Sequence, residues 1–317
     1  MTQIDKSRFE WIGSDSARRE GISRPSTTFW KDAIGRLMKN KVAVVCFFII
    51  VLLILSCIIV PFFSPFESRE QHLGEVNKGF MTVCTDSRYE GQHHVHYFGT
   101  DNLGRDLFLR AFEGGRVSLM IAFAAVFVNL IVGLIYGGIS GYLGGTVDMI
   151  MMRIVDIIST IPLTLYVILI MQVLGAGIQS IIVALGSVYW VDMARVVRGQ
   201  ILSLKQQEFV LAAKTIGSSA TTILFDHLIP NALGSILVTI TMLIPSAIFM
   251  EAFLGYLGIG LQPPLASLGT MCNDASANLR TSPHELLIPA LMICVIMFAF
   301  NFVGDGLRDA LDPKLKK

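Results

Sequence analysis

The stretch EFVLAAKTIGSSATTILFDHLIPN, residues 208–231, lies between two long apolar segments of the chain. It contains two acids, a lysine and a histidine, and its apolar residues recur at the spacing of an amphipathic helix. A water-compatible helix held between apolar segments indicates a function that is carried out beside a membrane. The surrounding sequence indicates what that function is.

The composition is that of a membrane protein. Of the 317 residues, 53% are hydrophobic and 15% are charged, and mean hydropathy is +0.63. Soluble domains carry about 25% charged residues. A bilayer core needs about 20 apolar residues per helix. Windows without Asp, Glu, Lys or Arg predict six spans within residues 42–66, 117–147, 157–191, 228–250 and 286–304, the third window being divided by a break at residues 175–177.

Basic residues are concentrated in the first 41 residues, before the first predicted span. Because cytoplasmic segments are enriched in Lys and Arg, we expect this end to be cytoplasmic. Six spans return the C-terminus to the same side, and the segment that contains Arg195, Arg198, Lys205 and Lys214 also lies there. The net charge of +1 excludes an extended basic surface for nucleic acid.

The order of these segments predicts the organisation of the chain. Residues 1–41 form a cytoplasmic tail whose sequence TTFWKDAIGRLMKNK suits a helix in the lipid headgroup plane. Residues 42–66 form the first span, and residues 67–116 form an extracytoplasmic loop. Residues 117–304 form a core of five further spans with a cytoplasmic loop at 199–230, and residues 305–317 form a cytoplasmic tail.

The second predicted span contains VGLIYGGISGYLGG, in which small residues recur every three or four positions. In lipid, this spacing allows the backbones of two helices to approach closely. We therefore expect Gly133, Gly137 and Gly141 to form a packing seam against another helix or subunit. Gly144 and Gly145 are better explained by the end of a helix.

The outer loop contains HHVHYFGTDNLGRD. It brings together three histidines without an acid or a cysteine at ligand spacing, so we expect no metal site at His93, His94 and His96. The residues that follow predict a turn and a helix start, with Thr100 or Asp101 as the cap. Two cysteines fall in outer loops, which leaves a disulfide between Cys84 and Cys272 open.

No sequence feature supports catalysis by this chain. It contains no G-x-x-x-x-G-K-[ST] motif that would bind nucleotide phosphates, and it contains no dinucleotide fingerprint. Asp148 and Asp156, with Arg153, lie near the inner face and are best explained as an ion-paired or solvated connection. We expect no catalytic residue and no cofactor in this chain, so energy for any active process must come from another subunit.

Within the opening stretch, the spacing of Phe209, Ala212, Ala213 and Ile216 predicts one apolar face of a short helix. Small side chains on such a face favour contact with a protein rather than insertion into lipid. Gly217 is expected to end the helix in a left-handed conformation. A second short helix is predicted over residues 220–228, with a break before the next span at Pro230.

These residues resemble the EAA cytoplasmic loop of ABC importer permeases. The family pattern is Glu-Ala-Ala, three residues, Gly, nine residues, then Ile-x-Leu-Pro, and this chain departs from it at Leu211, His227 and Ile229. FGTDNLGRD with GGRVSL, and MEAFLGYLGIGLQPPLASLG, resemble the same branch, the second permease subunit of dipeptide, oligopeptide and nickel importers. The resemblance covers about residues 29–313.

The resemblance implies a type I ABC importer permease fold with six membrane helices and a cytoplasmic coupling helix, in a bacterial cytoplasmic membrane. It implies partners: a homologous second permease subunit, two ATPase subunits that bind ATP and magnesium, and an extracytoplasmic substrate-binding protein. The residues that the resemblance assigns to coupling are Glu208, Phe209, Leu211, Ala212, Ala213, Gly217 and Pro230.

The cargo implied by the resemblance is a di- or oligopeptide, with nickel or another small solute as the alternative. An autonomous secondary transporter is a further alternative, but such carriers keep ionisable residues inside their spans and this chain has almost none. Glu251, at the outer end of the fifth predicted span, is the exception. It is a candidate for the translocation path, where it would pair with a peptide amino group, and an interfacial acid is the alternative.

Overall fold

The computed structural model describes residues 29–85 and 94–311, so predictions for residues 1–28, for His93 and for residues 312–317 lie outside the described residues. Five described helices are long and apolar enough to cross a membrane, and a bent pair of shorter helices makes a sixth span if it is counted as one. The prediction of an all-α membrane protein is confirmed. The five long helices are α2 (Lys41–Phe63), α3 (Leu107–Leu143), α6 (Ile178–Leu204), the helix Ala220–Tyr256 and α11 (Pro283–Leu311).

The first span is preceded by the short helix α1 (Phe29–Leu37), which packs against α11. Asn40 separates the two helices, and its side-chain oxygen accepts a hydrogen bond from the Ala43 backbone N–H at 3.2 Å, which caps α2. The apolar side chains Trp30, Ile34 and Met38 are exposed, as expected of a helix at the lipid interface. The span ends at Phe63 rather than at residue 66, because Pro65 favours an extended conformation at Ser64.

The segment between α2 and α3 folds into a small domain at the end of the spans predicted to be extracytoplasmic, which we call the outer domain. In its described residues it contains a 3₁₀ turn (Leu73–Glu75) and two antiparallel strands, β1 (Thr82–Val83) and β2 (Val95–His96), in which Thr82 lies opposite His96.

Helix α3 begins at Leu107, so the outer loop predicted to extend to residue 116 ends earlier. The predicted caps are also wrong. The N-cap is Asp106, whose carboxylate accepts a hydrogen bond from the Leu109 N–H at 2.7 Å. Asp101 closes the preceding turn instead, because one of its oxygens accepts from the Leu103 and Arg105 backbone N–H groups, both at 2.9 Å.

The predicted glycine seam lies between α3 and α6, so the partner helix belongs to the same chain. A Cβ atom at Gly137 would lie 2.3 Å from the carbonyl oxygen of Ala194, and one at Gly141 would lie 2.9 Å from that of Arg198. Neither separation is compatible with a side chain. Gly144 ends α3 with φ +69°, as expected for a glycine at a helix end.

Two shorter helices connect α3 to α6 and bend by 86° at their junction, namely α4 (Gly145–Thr160) and α5 (Leu163–Leu174). Pro162 causes the bend, because it favours an extended conformation at Ile161, where ψ is 126°. The break predicted at residues 175–177 is confirmed: Gly175 ends α5 with φ +83°. The bend at Pro162 was not predicted.

The break predicted at Pro230 is wrong, because the helix continues from Ala220 to Tyr256. It consists of α8 (Ala220–Thr222), a π-helical segment (Ile223–Leu228) and α9 (Ile229–Tyr256). A proline normally clashes with the carbonyl four residues earlier and leaves it without a donor. The wider π turn directly before Pro230 accommodates the ring. The Asn231 side chain also donates to the His227 carbonyl oxygen at 2.6 Å.

A short helix, α10 (Leu268–Ser276), lies between α9 and α11 and packs against the outer part of α9. Ser267 and Thr270 form a capping box at its N-terminus. The approach to α9 is close, since a Cβ atom at Gly269 would lie 2.3 Å from the carbonyl oxygen of Ala252. The glycines of GYLGIGLQPPLASLG therefore allow the chain to fold back onto the end of α9.

Candidate functional site

On the side of the membrane predicted to be cytoplasmic, the connection between α6 and α8 forms α7 (Glu208–Thr215). Glu208 in its first turn and Lys214 in its last turn complement the helix dipole. Gly217 has φ +89°, as predicted, and the Ser218 N–H donates to the Ala213 carbonyl oxygen at 3.0 Å. This bond is typical of the Schellman motif that ends a helix at a left-handed glycine.

Helix α7 has one buried side and one exposed side. Val210 is completely buried and Ala213 is 8% exposed, and both belong to the main apolar core. Ala213 was expected on the same face as Phe209 and Ile216, but it lies on the inner side. The small side chain allows α7 to lie close to the body of the protein. The exposed side combines the apolar side chains of Phe209, Leu211, Ala212 and Ile216 with the polar side chains of Glu208, Lys214 and Thr215.

The remaining residues assigned to coupling are Glu208, Gly217 and Pro230, and all three are exposed. Glu208 and Gly217 lie at the two ends of α7, next to its exposed apolar side chains. Pro230 is separate from them, because it belongs to the first turn of α9. The structure therefore brings together all the assigned residues except Pro230.

The inner side of α7 is joined to the spans through the π-helical segment. Val210 and Ala213 share a core with Ile223, Leu224 and Leu228 of that segment. The packing therefore connects α7 directly to the helix that continues as α9.

An ion pair connects three helices on the same side of the protein. Arg198 of α6 donates to the Asp148 carboxylate of α4 from Nε at 2.5 Å and from Nη2 at 2.6 Å. The Ser140 hydroxyl of α3 donates to the same carboxylate at 2.5 Å. We call Ser140, Asp148 and Arg198 the inner clamp. Such two-point arginine–carboxylate pairs fix orientation as well as distance.

A second pair joins Arg195 to Asp156 at 3.3 Å, but both side chains are largely exposed. The expected ion-paired connection is therefore present, with arginines of α6 rather than Arg153 as the partners. Directly before α7, the Lys205 ammonium donates to the Tyr142 carbonyl at the end of α3 and lies 5.5 Å from the centre of the Tyr142 ring.

Two open grooves run beside these helices. The larger has a volume of about 600 Å³ and lies between α6, α9 and α11, where Ser235, Thr239, Ser246 and Arg308 alternate with apolar side chains. The smaller has a volume of about 350 Å³ and lies at the bend between α4 and α5. Both combine hydroxyl and charged groups with apolar walls.

Glu251 lies in α9 and is completely buried. Neither of its carboxylate oxygens has a hydrogen-bonding partner of good geometry among the described residues, although the Ser118 and Ser267 hydroxyls lie beside it. Ser267 caps α10, so this helix covers Glu251 in the present conformation. Neither groove described above includes Glu251 in its lining.

The outer domain contains a buried hydrogen-bonded chain. The His96 ring lies 2.7 Å from the Asp106 carboxylate through Nδ1 and 3.1 Å from the Glu75 carboxylate through Nε2. Burial opposes the charge of the His96 imidazole, but these two carboxylates outweigh burial and raise its pKa. Burial likewise opposes the charge of Glu75, but hydrogen bonds from Thr85, Cys84 and His96 hold the pKa of this carboxyl below its usual value.

The motif FGTDNLGRD forms a second ionic cluster, which joins the start of α3 to α10. The Asp101 carboxylate lies 2.6 Å from Arg105 Nε and 3.5 Å from Arg110 Nε. The same arginines approach Asp274 of α10 at 3.4 and 3.7 Å. The motif is thus explained by packing of the outer domain.

One histidine and one cysteine of the outer domain lie in buried polar clusters that the sequence did not predict. His96 belongs to the buried chain with Glu75 and Asp106, so its role is distinct from that of a loop histidine. No disulfide joins Cys84 to Cys272 within the described part of the chain, and both are buried. Cys84 instead lies beside His72 and Glu75, a grouping that the spacing of histidines alone did not reveal.

Comparison with known families and proteins identifies the architecture. Residues 129–317 match the family described as binding-protein-dependent transport system inner membrane component. Residues 28–79 match the N-terminal TM domain of oligopeptide transport permease C.

Full-length relatives support the same assignment. The chain is 48% identical over all 317 residues, and over all of the relative, to the oligopeptide transport system permease protein OppC of Bacillus subtilis. It is 45% identical to the Escherichia coli K12 protein of the same name, with 98% of this chain and 99% of the relative covered. It is 44% identical to the dipeptide transport system permease protein DppC of Bacillus subtilis, with 94% and 90% covered.

The fold has a counterpart among solved structures. A chain of an inward-facing MetNI methionine ABC transporter superposes with a TM-score of 0.53 at 19% identity, covering 64% of this chain and 96% of the other. The predicted type I permease fold is confirmed. With the family match and the full-length relatives, this establishes that the chain belongs to the binding-protein-dependent transport permeases, the membrane-spanning subunits of ABC importers, in the branch of the oligopeptide and dipeptide permeases.

Proposed function

We propose that this chain is the second permease subunit of an ATP-driven importer of di- and oligopeptides. The observation that carries the proposal is the exposed side of α7, which presents Phe209, Leu211 and Ile216, while its opposite side packs into the main core through Val210 and Ala213. The proteins named as oligopeptide and dipeptide permeases, which match nearly the whole chain, support peptide as the cargo.

The assembly that we propose contains a homologous second permease, two ATPase subunits and an extracytoplasmic substrate-binding protein. ATP and magnesium are bound by the ATPase subunits, since this chain contains no phosphate-binding loop. The groove of about 600 Å³ between α6, α9 and α11 combines polar and apolar walls, which suits contact with a second permease or with a hydrated path.

We propose that α7 is the coupling helix. Glu208, Phe209, Leu211 and Ala212 would dock into a cleft of an ATPase subunit, with Ala213 and Gly217 fixing the position and the end of the helix. Burial of apolar side chains provides roughly 25 cal/mol per Å², so Phe209, Leu211 and Ile216 can supply most of the binding energy. Pro230 contributes indirectly, through the π-helical segment that receives the contact from α7.

Glu251 is proposed to lie on the translocation path after a conformational change. Its complete burial means that α10 has to move before a substrate reaches the carboxylate. A carboxylate in this position would bind the amino group of an incoming peptide.

The topology that we propose has both termini and α7 in the bacterial cytoplasm. The basic N-terminal segment and the basic loop before α7 support this orientation. In a variant without native cysteines, Ser218→Cys should react with a membrane-impermeant maleimide only after the membrane is opened. Labelling of this variant in sealed cells would place α7 outside and would refute the coupling proposal.

The function is tested by reconstitution. The chain should transport radiolabelled peptide into proteoliposomes only together with the second permease, the ATPase subunits, the binding protein and ATP. Uptake by the chain alone would contradict the proposal. Uptake of nickel but not peptide by the full complex would assign a different cargo to the same machinery.

A further inference from the structure

Three potential metal ligands converge in the outer domain. One ligand atom each from His72, Glu75 and Cys84 lies within 4.8 Å of the others. The side chains are 2%, 3% and 8% exposed, so the cluster is enclosed by protein. His72 and Glu75 flank the 3₁₀ turn and Cys84 follows β1, so only the folded outer domain brings them together.

The chemistry of the three groups selects a class of ion. An imidazole nitrogen, a carboxylate oxygen and a thiolate sulfur are all ligands of Zn²⁺, at about 2.0–2.3 Å. Mg²⁺ and Ca²⁺ require oxygen ligands and do not suit a thiolate. Ligand atoms around tetrahedral zinc lie about 3.5 Å apart. The ligand atoms here lie within 4.8 Å of one another, so binding of zinc requires them to approach by about 1 Å.

The surroundings fix the orientation of the carboxylate. Glu75 Oε1 accepts hydrogen bonds from the Thr85 backbone N–H and from its hydroxyl group, the latter at 2.7 Å. Glu75 Oε2 lies 3.1 Å from His96, which is held in turn by Asp106 at 2.7 Å. Outer groups of this kind orient metal ligands and raise affinity.

Apolar and backbone contacts complete the enclosure. The Phe66 ring stacks on His96 at a centroid distance of 4.3 Å and lies 6.0 Å from the His72 ring. The backbone of His72 is also the surface against which Gly104 packs, since a Cβ atom at Gly104 would lie 2.0 Å from the His72 carbonyl oxygen. An ion bound to His72 would therefore stabilise the turn that leads into α3.

We propose that His72, Glu75 and Cys84 bind Zn²⁺ and that the ion stabilises the outer domain. The three ligands leave a fourth tetrahedral position for water or another donor. On binding, the Cys84 thiol loses its proton to solvent and the sulfur forms a bond to the metal, without any change in oxidation state. The proposal is independent of the cargo and of coupling.

Cobalt is the probe for the site, because thiolate ligation of Co²⁺ produces a charge-transfer absorption. The full-length chain is purified in detergent on an affinity tag without histidine, treated with a chelator, and titrated with Co²⁺. The wild type should bind one ion per chain and develop the absorption, and Zn²⁺ should then displace the cobalt. Cys84→Ser should lose the absorption. The matched control is Cys272→Ser, whose thiol is equally buried, at 8% exposure, but lies outside the cluster, and it should retain the absorption.

Two further measurements keep the proposal testable if Cys84→Ser does not accumulate. His96→Gln retains all three ligands but alters the support of Glu75, so it should weaken cobalt binding about 10–100-fold. In the wild type, Zn²⁺ should protect Cys84 from alkylation, measured by peptide mass spectrometry with the chelator-treated protein as the reference. Absence of the absorption in the wild type, its persistence in Cys84→Ser, or equal alkylation of Cys84 with and without Zn²⁺ would refute the site.

Discussion

Gly217→Val is the sharpest test of the coupling helix. Gly217 has φ +89°, and a Cβ atom added there would meet no atom within 4 Å. The substitution therefore introduces no collision, and its effect comes from backbone conformation alone. A left-handed conformation costs a residue with a side chain about 1–2 kcal/mol, and a β-branched side chain is the least compatible with it.

The size of the expected effect follows from this penalty. A cost of about 1.4 kcal/mol shifts an equilibrium tenfold, so about 1–2 kcal/mol lowers the equilibrium constant for the docking-competent conformation roughly 5–30-fold. In the molecules that leave this conformation, the hydrogen bond from the Ser218 N–H to the Ala213 carbonyl oxygen is lost. We expect the complex to reach the membrane while peptide uptake into proteoliposomes and binding of ATPase subunits fall by about tenfold.

Two control variants separate this effect from general damage. Gly199→Val adds the same side chain inside α6, where nothing lies within 4 Å and φ is not positive. It should change stability by less than about 1 kcal/mol, as expected from helix propensity, and leave uptake close to that of the wild type. Gly217→Asn should retain most of the uptake, because Asn tolerates the left-handed region. Wild-type uptake by a normally assembled Gly217→Val complex would refute the reasoning.

Three further variants or modifications test other parts of the structure. Asp148→Asn should lower the thermal stability of the complex and its peptide uptake, because it breaks the two-point ion pair with Arg198. Asp156→Asn, at the exposed ion pair, should change the free energy of unfolding by less than about 1 kcal/mol, and equal effects of the two variants would contradict the role of the inner clamp. Glu251→Gln should reduce uptake of peptides with a free amino terminus more than that of N-acetylated peptides, and equal uptake would assign Glu251 to packing of α10. Burial raises the pKa of Cys272 to about 11, so about one thiol in ten thousand is a thiolate near pH 7. The alkylation rate of Cys272 should therefore rise about tenfold per pH unit up to that pKa, and a rate independent of pH would contradict the raised pKa.

The features that the sequence predicted correctly are those with local causes. Apolar windows identify spans because each must cover the hydrocarbon core by itself. Gly175 and Gly217 end helices through their own backbone freedom, with φ +83° and +89°. The seam at Gly137 was predictable because small residues at helical spacing have few other uses in lipid.

The features that were missed depend on contacts between distant segments. Leu107 begins α3 well before the apolar window, because the charge of Arg110 is accommodated by Asp101 and Asp274 in the folded outer domain. Ala213 lies on the inner side of α7 because Val210, one turn earlier, enters the core beside the π-helical segment. No spacing rule within α7 distinguishes these two faces.

The error at Pro230 has the largest consequence for mechanism. A break there would have separated α7 and the short helix after it from the fourth long helix. Instead, the helix from Ala220 to Tyr256 spans 37 residues, or about 55 Å at 1.5 Å per residue. One end contacts α7 through the π-helical segment, and the other carries Glu251 beneath α10.

This continuity determines how a movement at α7 reaches the outer face. The π-helical segment (Ile223–Leu228) is the point at which the helix departs from regular α geometry, and such segments are frequent at functional sites. Pro245 lies inside α9 and lacks the N–H that would complete the helical hydrogen bonds, but the helix continues through it to Tyr256, so a displacement of α7 can be passed along α9. The outer end of α9 packs against α10 so closely that Gly269 admits no side chain. In the coupling that we propose, a tilt of α9 would be passed to α10, and a movement of α10 away from α9 would uncover Glu251 and shift Asp274 relative to Arg105 in the outer domain.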